Sequence, residues 1–142
     1  MSYYRSERSG RMNILYISKL SGNMWAGPNN SVPAQIMAQT KFDNVFWYNV
    51  NYVTKKEWEE SRVFHNLKEY PSKKIADLPY PFSKPDLVIF QGIYTYPFSS
   101  LVYEVQKLNI PYILIPRSEL TEKAQKHKPV KKFVGNIIYF KR

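Results

Sequence analysis

The sequence predicts an α/β fold: a Rossmann-like parallel sheet flanked by helices. Three observations lead there. Short apolar runs rich in β-formers recur along the chain, NILYIS at 13–18, VFWYNV at 45–50, LVIF at 87–90 and YILI at 112–115, and such runs suit strands buried on both faces. Stretches with helical spacing of apolar residues lie between them, and this alternation builds right-handed βαβ units. With 142 residues, 44% of them apolar, the chain makes one domain with a sizeable core.

The elements follow in order. Residues 1–12 are polar and aperiodic and read as a disordered leader or tag, which leaves 13–142 as the domain. After the first strand, KLSGNMWAGPNN holds two Gly, one Pro and three Asn and reads as a loop. Ser31 is expected to cap the next helix, with Pro33 in its first turn and Val32, Ala34, Ile36, Met37 and Ala38 on its apolar side. The second strand is Val45–Val50. Thr54 and Glu57 have capping-box spacing for a short helix over 54–61. Val63–Leu67 is expected as a short strand and Lys73–Leu78 as a helical turn.

From Lys84 the pattern sharpens. Pro85 and Asp86 precede LVIF, and Asp86 is expected to fix the start of that strand. Phe98, Leu101, Val102, Val105 and Leu108 form one stripe of a helix, which Asn109 should end in a left-handed conformation before Pro111. A buried strand at Tyr112–Ile115 comes next. A polar helical stretch begins at Ser118, and Val130, Phe133, Val134, Ile137 and Ile138 make a last stripe. That stripe runs almost to Arg142 with no closing Gly or Pro, so the chain is expected to be truncated.

Composition excludes several classes. No run approaches the ~18 apolar residues of a membrane span. Arg5, Arg8 and Arg11 have no apolar segment behind them, so they do not open a signal peptide. The absence of cysteine excludes disulfides, Cys-ligated zinc and thiol catalysis, and leans towards the cytosol. The net charge of +10 is concentrated at the C-terminus, where residues 117–142 carry eight basic and two acidic side chains. Such a run is either a solvated helix face or a contact for anionic partners.

In open α/β sheets, ligands bind outside the carboxyl ends of the strands. Lys19–Asn30, Gln91–Tyr96 and Pro116–Leu120 fall there. Gly27 stands just before a helix start, where free N–H groups favour anions; the plainer reading is that Gly27-Pro28 shapes a turn. Arg117 suits bidentate contact with phosphate or carboxylate, or pairs locally with Glu119 or Glu122. Trp25, Tyr94 and Tyr96 could stack on a sugar ring, or simply pack. Neither G-x-G-x-x-G nor a Walker loop is present. His65 and His127 do not make a metal site, Ser31, Ser99 and Ser118 look like caps, and no carboxylate pair gathers at the cleft mouth. No catalytic residue is assigned. No nucleic-acid-binding motif appears, and Tyr and Phe fall mainly in apolar runs, so nucleic acid is not an expected partner.

In order, NILYIS, WAGPNNSV, PDLVIFQG, IPYILIPRSEL and the KP-KK stretch resemble the N-terminal half of a family 4 glycosyltransferase of the GT-B fold, over residues 13–142. The resemblance implies the acceptor-binding half of a retaining, metal-independent hexosyltransferase of polysaccharide biosynthesis, with no cofactor and inactive alone. A missing C-terminal domain would bind the nucleotide sugar, and the acceptor would be a glycan or a lipid-linked glycan. The site residues it implies are Gly27, Pro28 and Asn29 in the first loop, Gln91 and Gly92 after the LVIF strand, and Arg117 and Ser118 after YILI. Gln91 stands where many members have His, and Ser118 replaces a Gly. Lys123, Lys126, Lys128, Lys131 and Lys132 are expected to contact phosphate or an anionic membrane surface, which puts the protein in the cytoplasm at the inner face of the membrane. The alternative is a non-enzymatic binding or regulatory domain of flavodoxin-like type.

Overall fold

The computed structural model describes residues 10–23, 27–92 and 100–116. Within them β1 (Asn13–Ser18), α1 (Pro28–Gln39), β2 (Asn44–Asn49), α2 (Lys56–Glu60), β3 (Phe64–Asn66), a 3-10 turn (Ile75–Asp77), β4 (Leu87–Phe90), α3 (Ser100–Lys107) and β5 (Tyr112–Leu114) follow one another. The five strands form one parallel sheet in the order β3-β2-β1-β4-β5. This is the Rossmann order; the flavodoxin-like order places the strands differently.

Alternation along each strand divides the core in two. Leu15, Ile17, Phe46, Tyr48, Val88 and Phe90 meet Ile75, Leu78 and the Leu101, Val102 and Val105 stripe of α3 on one face. Ile14, Tyr16, Val45, Trp47 and Ile89 meet Val32 and Ile36 of α1 and Trp58 of α2 on the other. Strands covered on both sides read as continuous apolar runs, which is why they were visible in the sequence.

Several local expectations shift. Helix α1 begins at Pro28, three residues before Ser31, because proline presets the first-turn dihedral. The Ser31 hydroxyl donates back to the Gly27 carbonyl at 3.2 Å instead of capping. Pro33 therefore lies inside the helix, where its missing N–H leaves the Asn29 carbonyl without its usual helical donor. The capping box does not form: Lys55 holds the cap position of α2, and the Thr54 hydroxyl donates to Glu59 Oε1 at 2.8 Å. Leu108 lies past the end of α3 and is 48% exposed. Asn109 does adopt a left-handed φ of 55°, and the Ile110 N–H closes the helix on the Val105 carbonyl at 3.0 Å.

Strand β5 was expected to be buried, yet it is an edge strand of the described sheet. Tyr112 and Leu114 pack on the α3 side, whereas Ile113 faces the other way and stays 47% exposed. Two residues assigned to the leader are tied to the body. Arg11 donates to the Thr40 and Lys41 carbonyls, and the Met12 N–H donates to Asp43 Oδ1 at 3.0 Å. No described helix is long and apolar enough to cross a membrane.

Candidate functional site at the carboxyl edge

The chain leaves β1 towards α1 on one face and leaves β4 towards α3 on the other. Neighbouring strands whose connections diverge in this way open a crevice at their carboxyl ends. Residues 19–23 after β1 and the start of α1 form one wall, and Gln91 and Gly92 form the other. The two walls touch: Gln91 Nε2 donates to Gln35 Oε1 of α1 at 3.2 Å. Five of the residues singled out in the sequence, Gly27, Pro28, Asn29, Gln91 and Gly92, thus come to one end of the sheet. Arg117, Ser118 and the five lysines lie outside the described residues, as do Trp25, Tyr94, Tyr96, Phe98 and the stripe at 130–138.

Their roles differ. Gly27 is exposed, and its backbone (φ −47°, ψ −45°) is right-handed helical. A side-chain carbon added there would meet no atom of the described residues within 4 Å. The local demand for glycine reduces to Pro28, since a β-carbon before a proline disfavours the helical region. Asn29 is 5% exposed, and its Oδ1 accepts the Gly22 N–H at 2.9 Å, so it holds the loop onto the helix start. Gln91, also 5% exposed, shapes the far wall. Gly92 has φ 137°, a region where glycine is favoured over any residue with a side chain.

Beneath the crevice runs a row that sequence reasoning did not single out. Ser18, Asn49 and Asn66 are paired in register at the carboxyl ends of β1, β2 and β3, and all three are buried. Ser18 Oγ donates to Asn49 Oδ1 at 2.7 Å and accepts the Trp47 indole N–H at 2.8 Å. Asn49 Oδ1 also accepts the Leu20 N–H at 2.7 Å, and Asn49 Nδ2 returns a bond to the Leu20 carbonyl at 3.3 Å. Buried amides and hydroxyls satisfied this fully fix geometry. The row therefore sets where the β1–α1 loop leaves the sheet. Part of the signal was available: the apolar run of β1 closes on Ser18, and Asn49 interrupts the run of β2.

Among the described residues, no group of three or more His, Asp or Glu is placed to hold a metal ion. The chain matches no protein-family model, no curated protein and no solved structure.

Proposed function

We propose that this domain is the acceptor-binding half of a retaining sugar transferase. One observation carries the reading. The β1/β4 crevice is walled by Gln91-Gly92 and by Gly27 at a helix start, with open space among the described residues where a side chain would stand. Such a glycine keeps the backbone open to a ligand. The Asn29 and Gln91 amides are buried and bonded within the walls, and backbone groups at the start of α1 are what suits a hydroxyl-rich ligand there. In a transfer that retains configuration, the bond between the sugar and its diphosphate breaks and a glycosidic bond forms to an acceptor oxygen. This half positions that oxygen. The partner half holds the nucleotide and neutralises the leaving diphosphate. The basic run at Lys123, Lys126, Lys128, Lys131 and Lys132 attaches the domain electrostatically to an anionic membrane surface at which a lipid-linked acceptor is met.

The test compares Gly27→Val with the parent chain, both carrying Pro28→Ala to remove the proline constraint. Thermal unfolding is expected to be unchanged, while binding of glycan acceptors, followed by NMR shifts of Gly22, Gln91 and Gly92, is lost. Equal binding by both chains removes Gly27 from the site. Co-sedimentation with acidic but not neutral vesicles, weakened by salt, tests the membrane contact. Equal binding to both vesicle types, or to neither, removes it.

A further inference from the structure

The carboxyl edge of the sheet continues from the crevice across β1 and β2 to β3. A hollow of about 420 Å³ lies beside β3, lined by the polar residues Thr54, Glu59, His65, Asn66, Lys68 and Glu69 together with Phe64. Thr54 follows β2, Glu59 stands on α2, and the others belong to β3 or the turn after it.

The groups are arranged in advance. The Thr54 hydroxyl donates to Glu59 Oε1 at 2.8 Å, and His65 Nδ1 lies 2.8 Å from Glu69 Oε2. Each carboxylate uses one oxygen in these bonds and has a second with which to accept. The His65 ring lies flat on Phe46, 4.0 Å between centroids and 9° from parallel, with the Tyr70 ring across its edge. Asn66 is 5% exposed, and its Oδ1 accepts the Lys68 N–H at 3.0 Å. Apart from the exposed Lys68, the polar side chains of the lining are already held and cost little further ordering when a ligand arrives.

The chemistry of the lining selects the ligand. Two carboxylates, an ammonium, an imidazole, an amide and a hydroxyl present no field of one sign, which disfavours a phosphate. A ring carrying adjacent hydroxyls fits, because each hydroxyl can donate to a carboxylate oxygen while accepting from the Lys68 ammonium, the buried Asn66 amide being engaged with the Val53 carbonyl and the Lys68 N–H. The hollow lies two strands from β1, about 10 Å at the usual strand spacing. A single sugar does not bridge that distance; a short oligosaccharide does.

We infer that this hollow is a second sugar subsite, which holds a distal ring of an oligosaccharide acceptor whose reacting end sits in the β1/β4 crevice. The inference rests on the acceptor-binding reading and adds to it that the acceptor is an extended glycan.

The experiment titrates the full chain with maltotriose, cellotriose and chitotriose and with their monosaccharides, following backbone amide shifts. One of the trisaccharides is expected to move signals both at Gly22 and Gln91 and at His65, Asn66 and Lys68. It should bind about tenfold tighter than its monosaccharide, a difference of about 1.4 kcal/mol. The exposed pair Glu59→Ala and Glu69→Ala, made together, should reduce that affinity to the monosaccharide level while the crevice signals still respond. Shifts confined to the crevice, or an unchanged affinity in the double variant, overturn the subsite and leave the acceptor reading standing. Shifts confined to the hollow overturn the crevice reading. No shift at either place with any of these sugars overturns both.

Discussion

The Asp86 carboxylate accepts the backbone N–H of Asn13, 73 positions earlier, at 2.8 Å, and the Asp86 N–H returns a bond to the Asn13 carbonyl at 2.8 Å. This two-way latch sets the register of β4 against β1 and so places Gln91 opposite the β1 loop. Replacing Asp86 with Ala leaves a partly buried N–H without its acceptor, and a loss of about 1–3 kcal/mol is expected in urea unfolding. Asp86→Asn keeps an acceptor oxygen and should lose less than half as much.

Gly22 carries a φ of 79°, and a β-carbon there would sit 2.7 Å from Val53 Cγ1. Gly22→Ala therefore meets backbone strain and a steric clash together, expected to cost about 1–3 kcal/mol. Adding Val53→Ala relieves the clash but not the strain. The double variant should therefore melt above Gly22→Ala and below Gly22 with Val53→Ala alone.

The buried row at the strand ends is coupled. Asn49→Leu strands the Leu20 N–H and the Ser18 hydroxyl, for an expected loss of about 2–4 kcal/mol. Ser18→Ala orphans the Trp47 indole N–H and should cost about 1–3 kcal/mol. Because the two changes disrupt one network, the double variant should lose less than the sum. A simple sum in denaturant melts would show that the bonds act independently.

Burial pushes the Tyr48 hydroxyl up to about 12, with a backbone interaction at Lys73 opposing and nearby Asp77 and Tyr52 adding. The hydroxyl donates to the Tyr70 carbonyl, which also favours its protonated form. In the unfolded chain a tyrosine ionises near 10. The unfolded state thus binds fewer protons between these values, and the stabilisation present below about pH 10 is lost as pH rises towards 12. Tyr48→Phe should flatten that decline and remove one late-titrating group from the ultraviolet absorbance of tyrosinate. An unchanged alkaline titration would assign the late group elsewhere.

The sheet was legible because its strands are buried on both faces. Asn109 and Asp86 were legible because each solves a local problem, the end of a helix and the start of a strand. Helix starts were less so: Pro28 and Ser31 both compete for the beginning of α1, and only the packing of Asn29, Val32 and Ile36 against the fold decides it. Tertiary context also set the edge exposure of Ile113. Gly27, Gln91 and Gly92 lie in the segments after β1 and β4, and their place at the carboxyl edge was legible from that order. The Ser18, Asn49 and Asn66 row was passed over, since three polar residues on separate strands become one row only once register is known.

The position of β1 at the centre of the sheet has a consequence for how the chain folds. One of its neighbours, β2, begins 31 positions downstream and pairs early; the other, β4, lies 73 positions away. At about 5–20 residues per second of synthesis, that gap is roughly 4–15 s. Throughout it, one edge of this buried strand has no partner yet made. Pairings this distant in sequence slow folding and expose the nascent chain to misassociation. Of the five described strands, the one that anchors the crevice is synthesised first, yet it gains its second neighbour only when the fourth is made.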